Sequence, residues 1–269
     1  MTKVIAALDT SLAANPVLRT AVALSEALGA AVEAVHVPAN GDRVARSAAD
    51  ALDVPYRTTS GPVEERLVEI GQESDVVALV LGARGSPLAR RPLGGTALAV
   101  ATASSKPVVV VPPETRARDR LQRVLIPLAG RDMEHHTPRA IVALAEGEEL
   151  EVVVLHVLDE ASLPSFTDQP QHEYEARVHE FLLRYCPWGI GKIRFEMRIG
   201  RREELVPAVA DEVDADIVAL GWAQELEPDR APVVHTLLTR GSVPVLLVPV
   251  RVTGGAEVVS SAPAGAVGG

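Results

Sequence analysis

The chain alternates short, continuous apolar runs with longer stretches in which apolar residues recur at helical spacing. Because strands that are apolar throughout are buried on both faces, this order predicts an α/β fold whose parallel sheet is covered by helices on both sides. In the first half the pattern predicts strands over 4–8, 31–37, 54–59, 76–81 and 107–111, and helices over 16–28, 42–52, 63–71 and 97–104.

A charged connection that contains prolines, residues 112–120, ends the first half, and beyond it the pattern begins again. Residues 124–128 repeat 4–8, and the Leu-His-Val of 155–157 repeats the Val-His-Val of 35–37 at the same offset. An internal duplication explains these matches. We therefore predict two domains, 1–115 and 121–251, followed by a disordered tail of small residues over 252–269.

The second half differs from the first by an insertion. This insertion includes a loop over 162–171 and a predicted helix over 172–185. The strand predicted over 193–199 alternates apolar with charged residues, so we expect it to be more exposed than its counterpart in the first half.

Composition narrows the possible functions. The chain is 47% hydrophobic but only 3% aromatic, which favours buried parallel strands and helices of small residues. A formal net charge of −10 argues against a nucleic-acid or anionic-membrane partner. No apolar run reaches the roughly 18 residues of a membrane span, and the start lacks a signal-peptide pattern, so we expect a cytoplasmic protein. A single cysteine, Cys186, excludes an internal disulfide and a cysteine-based metal cluster.

The stretch from Gly82 to Thr96 carries the candidate chemistry. Gly82 and Gly85 lie between an apolar strand and an alanine-rich helix, at the edge where parallel α/β sheets bind ligands. Glycines let the backbone approach a phosphate, and a helix that begins at Gly95 would direct unpaired N–H groups at it. A phosphate site is one interpretation, and ordinary turn glycines are the other.

Other residues support catalysis or metal binding poorly. The chain has no phosphate-loop lysine motif, no nucleophile elbow and no zinc-protease motif, so we do not expect an enzyme. His135 and His136 are adjacent and would not face one way on a helix, so we expect no metal site. His36 and His156 occupy equivalent strand ends, which favours a scaffold role. Arginines 84, 90 and 91 would either neutralise phosphates or lie on a solvated loop.

These motifs together resemble the universal stress proteins. The spacing Gly82-x2-Gly85-x9-Gly95-Thr96 is similar to the nucleotide-binding signature of that family, and Asp9 after the first strand, the Val-His-Val of 35–37 and the valine-rich strand before Pro112 match it too. The resemblance implies two tandem Rossmann-like (adenine nucleotide alpha hydrolase-like) domains. Each would be a five-stranded parallel sheet of order 3-2-1-4-5, and the two would pair through their last strands as an intramolecular pseudo-dimer.

The resemblance also implies an adenine nucleotide, ATP with or without Mg²⁺, as the ligand. Asp9 alone could equally cap the following helix. By position, the base and ribose would lie against Ala7, Leu8, Asp9, Thr10 and Val37, and the phosphates against Leu81, Gly82, Ala83, Arg84, Gly85, Gly95, Thr96 and Ala97. Such a protein would be a regulator in the stress response rather than an enzyme, acting on an unidentified protein partner, with further homodimerisation left open.

The second half departs from the signature. Ala129 replaces Asp9, Gln224 replaces Gly85, Trp222 follows Gly221, and the counterpart of Gly95-Thr96 falls near Val234 and His235. We therefore expect nucleotide binding in the first domain only. Two alternatives remain: an interaction scaffold that binds no nucleotide and uses residues 161–185 as its contact surface, or a binder of a cyclic nucleotide or another small ligand.

Overall fold

A computed structural model of the chain describes residues 1–11, 13–38, 41–83, 94–116, 118–128, 150–158, 192–225 and 231–250. In the first half, strands and helices alternate in the order that the hydrophobic pattern predicts. Its elements are β1 (Lys3–Leu8), α1 (Ala14–Ala27), β2 (Ala31–His36), α2 (Arg43–Ala51), β3 (Tyr56–Thr58), α3 (Val63–Gly71), β4 (Val76–Gly82), α4 (Gly95–Ala103) and β5 (Val108–Val111).

The described part of the second half repeats this plan. Its elements are β6 (Arg123–Leu128), β7 (Glu151–Leu158), β8 (Ile193–Ile199), α5 (Arg202–Glu212), β9 (Ile217–Trp222), α6 (Pro232–Arg240) and β10 (Val245–Pro249). The predicted insertion helix, the tail, Cys186 and the pair His135-His136 lie outside the described residues.

The ten strands found among the described residues form one sheet, in the order β3-β2-β1-β4-β5-β10-β9-β6-β7-β8. Within each half neighbouring strands are parallel, so each half has the order 3-2-1-4-5. The halves join where β10 pairs antiparallel with β5, with Leu246 opposite Val109. The predicted α/β fold class is thereby confirmed.

Apolar cores cover both faces of the sheet and extend across both halves. On one face, Val4, Ala6 and Leu8 of β1 pack in the same cluster as residues of α1 and as Val109 and Leu246 of the joining strands. On the other face, residues of α4, α5 and α6 share a cluster with the alternate residues of those strands. The alternation follows from the two-residue period of a strand. Because both cores are continuous, the two halves share one sheet with a common core on each face.

Two details of the elements differ from the sequence pattern. Helix α1 begins at Ala14 rather than at Pro16, because a proline is accepted within the first turn, where its missing N–H is not needed. Strand β3 is limited to Tyr56–Thr58 at the sheet edge. Strand β8, at the opposite edge, is mostly half-buried, and β3 is half-buried to a similar degree, so the prediction that β8 is the more exposed of the two is not confirmed. None of the described helices is long and apolar enough to cross a membrane.

Two clusters of charged side chains link neighbouring segments of the sheet near the ends of its strands. Lys3 forms ion pairs with Glu33 at 3.1 Å and Glu73 at 2.9 Å, and the hydrogen bond to Glu73 raises the pKa of Lys3 against the opposing effect of burial. In the second half, the Asp216 carboxylate is 2% exposed and pairs with Arg118 Nε at 2.9 Å. It also accepts hydrogen bonds from the backbone N–H groups of the two residues that lead into β6.

Candidate functional site

A cavity of about 370 Å³ opens at the carboxyl ends of β1, β2 and β4, between the start of α1 and the start of α4. This edge is the usual ligand site of an open parallel sheet. The cavity is lined by Ala7, Leu8, Asp9, Thr10, Ala13, Ala14, Val17, Val35, His36, Val37, Val63, Leu67, Leu81, Gly82, Ala83, Gly94, Gly95, Thr96 and Ala97. It therefore brings together every predicted site residue that the structure describes; Arg84 and Gly85 lie outside the described residues.

Asp9 lies at the end of β1 and is exposed to solvent. Its Oδ1 accepts hydrogen bonds from the backbone N–H of Ser11 at 2.9 Å and from the Ser11 hydroxyl at 2.6 Å. These bonds fix the turn into α1, but Asp9 does not cap that helix, whose N-cap is Ala13. Among the described residues, no donor pairs with Oδ2. The carboxylate is thus held in place with one oxygen available as an acceptor.

The opposite end of the cavity is the N-terminus of α4. Gly94 is the N-cap residue and supplies no side chain, so the N–H groups of the first turn lack a capping partner. The Thr96 hydroxyl donates to Glu64 Oε1 at 3.1 Å. A Cβ built on Gly95 would meet no atom within 4 Å. The start of α4 is therefore an open set of backbone donors with space in front of it.

Ala83 contributes differently from what the motif suggests. Its backbone N–H donates to Val111 O at 2.8 Å, and its carbonyl accepts from Gly94 N at 2.7 Å. Both backbone groups are therefore used by the fold and not free for a ligand. Ala83 instead forms the buried floor of the cavity together with Val37, Leu81 and Ala97.

His36 lines the cavity, and its position at a strand end equivalent to that of His156 predicts a scaffold role. Its Nδ1 donates to Leu8 O at 2.7 Å, and the side chain is buried. The bond ties the end of β2 to the end of β1, which matches the scaffold role. The predicted site omits Ala13, Ala14 and Val17, which lie at the start of α1 and line the cavity. Their helical spacing places them on the face that packs toward the sheet.

The second half has a larger cavity, of about 710 Å³, at the equivalent edge. Trp222 stands at the position of Ala83; it is buried, and its Nε1 donates to Glu225 O at 3.1 Å. Helix α6 begins with Pro232 where α4 begins with Gly95. The helix equivalence thus places Pro232 and Val233, rather than Val234 and His235, opposite Gly95-Thr96. A proline has no N–H to offer, so this helix start presents fewer donors.

A comparison with protein families identifies the family to which the chain belongs. The model of the universal stress protein family matches residues 39–112 and 120–249, which is more than half of the chain. The chain belongs to the universal stress protein family. Its two matched segments fall in the two halves of the sheet, so this universal stress protein carries the family domain in tandem. No curated protein sequence matches the chain closely enough to count as a relative.

Several solved structures are similar to the chain along nearly its whole length. A universal stress protein from Pseudomonas aeruginosa UCBPP-PA14 is 13% identical with a TM-score of 0.67, and 93% of each chain is covered. One from Archaeoglobus fulgidus DSM 4304 is 16% identical with a TM-score of 0.62, covering 91% of this chain and 97% of that chain. A protein of unknown function from Pseudomonas aeruginosa PAO1 is 12% identical with a TM-score of 0.66, covering 93% and 92%. At these identities the likeness shows the fold.

Proposed function

We propose that this universal stress protein binds an adenine nucleotide, ATP, in the cavity of its first half, and that occupancy regulates a protein partner during stress. The observation that carries the proposal is the start of α4. Gly95 lines the cavity and has open space where a Cβ would lie, so packing does not require a glycine there. A ligand that approaches the backbone closely explains the glycine, and a phosphate suits the unpaired N–H groups beside it.

The two ends of the cavity differ in chemistry, and this difference orients the ligand. Uncapped N–H donors of α4 favour anionic oxygens at one end. At the other end Asp9 offers an acceptor, which suits ribose hydroxyls or an exocyclic amine. The cavity extends along the ends of β2, β1 and β4, and the outer two of these strands are about 10 Å apart at two strand spacings. An extended nucleotide with its phosphates toward α4 spans that distance.

The second half supports a different role. Trp222 and Pro232 replace the small residue and the free helix start that would receive a phosphate. We therefore restrict nucleotide binding to the first half. The proposal also assigns the protein a binding role without catalysis, in the cytoplasm. Among the described lining residues, Asp9 is the only ionisable group besides His36, and His36 Nδ1 is already hydrogen-bonded to Leu8.

Isothermal titration calorimetry of the purified chain with ATP, with and without Mg²⁺, tests the proposal. We expect one site per chain, and we expect Asp9→Ala to weaken ATP binding about five-fold or more, because one hydrogen bond to a charged group is lost. Asp50→Ala, at an exposed acidic residue of α2 outside the cavity, is the matched control for the loss of a carboxylate.

Three outcomes would count against parts of the proposal. No heat of binding, together with no adenine nucleotide extracted from the purified protein, would favour an interaction scaffold. Tighter binding of a cyclic nucleotide than of ATP would assign a different ligand to the same cavity. Two sites per chain would contradict the restriction to the first half.

A further inference from the structure

The second half contributes one side chain to the helix that faces the cavity of the first half. Gln224 lies in the loop after β9, and its Nε2 lies 2.7 Å from Ser104 O, 2.9 Å from Thr102 O and 3.3 Å from Ala101 O. All three neighbours are carbonyl acceptors at the C-terminus of α4. Because they can only accept, the amide nitrogen rather than the amide oxygen must face them.

This contact lies at the C-terminus of α4, where helix carbonyls need hydrogen-bond donors. The last carbonyls of an α-helix have no intrahelical partner, and they carry the negative end of the helix dipole. In α4 the N–H of Ser104 satisfies Val100 O at 2.9 Å and leaves the carbonyls that follow. The two N–H groups of the Gln224 amide fill that role, with the 3.3 Å contact as the weaker third. Gln224 thus acts as a C-terminal cap supplied by the other half.

The backbone of Gln224 is held in an unfavourable conformation to make this contact. Its φ is +64°, in the left-handed region that side chains other than glycine rarely adopt. Such conformations persist where the surroundings over-determine them. The indole of Trp222 closes the same loop through its hydrogen bond to Glu225 O. Residues 222–225, which lie at the end of β9 and just after it and lack the glycine of the nucleotide motif, are therefore held by hydrogen bonds, and Gln224 contacts the first half.

We propose that Gln224 is a positioning residue for the nucleotide site of the first half: by holding the C-terminus of α4, it fixes the N-terminus of the same helix at the phosphate end of the cavity. Helix α4 is a nine-residue element with Gly95 at its first position and Ala103 at its last. A shift or tilt at one end of so short a helix moves the other end by a similar amount. This inference rests on the proposed function, because it concerns the same site.

The test uses the full chain and two variants. Gln224→Gly removes the donors but relieves the positive φ, so the fold should be kept. Gln224→Glu keeps the length and replaces the donors by a carboxylate beside helix carbonyls, so its effect should be larger. Thr115→Ala is the matched control, because Thr115 also donates across the halves, to Ser242 O at 3.3 Å, but does not contact α4.

The readout is the dissociation constant of ATP compared with that of adenosine, by calorimetry. We expect Gln224→Gly to weaken ATP about five-fold or more, at the lower end of ordinary coupling between sites. It should leave adenosine unchanged, because only the phosphates reach α4. Thermal denaturation should stay close to wild type for this variant. A purely structural role would lower the melting temperature and would change both ligands alike or neither.

The possible failures are distinguishable. If wild type and Gln224→Gly bind ATP equally, the positioning role is wrong and the proposed function stands. If ATP and adenosine weaken to the same extent, the effect is not transmitted through the phosphate end, and the inference is also wrong. If wild type binds no nucleotide at all, the proposed function fails, and the positioning role fails with it.

Discussion

Replacing Gly95 by alanine separates the requirements of the fold from those of a ligand. A Cβ at this position meets nothing within 4 Å, and Gly95 is the first residue of α4. Alanine in a helix is favoured over glycine by about 0.5–1 kcal/mol, so we expect Gly95→Ala to keep or slightly raise the free energy of unfolding. The same methyl group stands beside the N–H donors of the first turn.

The expected effect on binding has the opposite sign. A phosphate oxygen bonded to these donors lies about 3 Å from the nitrogen, so an added methyl group at Gly95 competes for the same space. We expect ATP binding to weaken about ten-fold, or about 1.4 kcal/mol, and further in Gly95→Val. Urea denaturation measures the stability and titration calorimetry measures the dissociation constant.

Gly71→Ala is the matched control. A Cβ at Gly71 would lie 2.8 Å from Leu79 Cδ1, so this substitution should destabilise the fold while the cavity residues stay unchanged. Two results would refute the reasoning: Gly95→Ala that binds ATP as tightly as wild type, or Gly95→Ala that is destabilised as much as Gly71→Ala.

Two further predictions concern stability. Asp216→Ala leaves two backbone N–H groups and the Arg118 guanidinium without their buried acceptor. We therefore expect the free energy of unfolding, measured by urea denaturation, to fall by about 2–4 kcal/mol, and a fall of less than about 1 kcal/mol would contradict this. Burial acts to raise the pKa of Glu73, but hydrogen bonds from Lys3 and Arg57 outweigh it and hold that pKa below its ordinary value. The carboxylate therefore contributes stability above its unfolded pKa of about 4.3, which is lost as the pH falls through the folded value. Glu73→Gln should lower the free energy of unfolding by about 0.5–1 kcal/mol at pH 7 and by less toward pH 4. An equal decrease at both pH values would refute the link between the ionisation of Glu73 and stability.

Local periodicity is enough to predict the central strands, because a buried parallel strand is apolar along its whole length, whereas the edge strands β3 and β8 carry polar and charged residues. The repeat of the first strand at residues 124–128 likewise predicts a second set of strands, and β6 occupies Arg123–Leu128. The family resemblance rested on spacing, and the comparison with the family confirms it. The limits of the predicted elements move by at most two residues: at the start of α1, where a proline lies in the first turn, at the start of β3 on the sheet edge, and at the start of α4.

The candidate site was less predictable, because its geometry depends on contacts between distant segments. A motif identifies Ala83 but does not show that Val111 O already accepts its N–H. The sequence offset between the two motifs also places the start of α6 two positions too late, because the loop before α6 differs in length from the loop before α4. Pro232, and not Val234, therefore stands opposite Gly95. Burial of α1 against the sheet adds Ala13 and Ala14 to the cavity through tertiary packing alone.

The differences between the two halves fall at one edge of a shared scaffold. The strands and their order are repeated, whereas Trp222 and Pro232 line the second cavity and Gln224 lies in the loop between them. Trp222 is hydrogen-bonded within its loop, and Gln224, at a positive φ, contacts three carbonyls at the C-terminus of α4. Of these residues Gln224 contacts the first half, so the proposed positioning role predicts that replacing Gln224 changes ligand binding at the cavity where Gly95 lies.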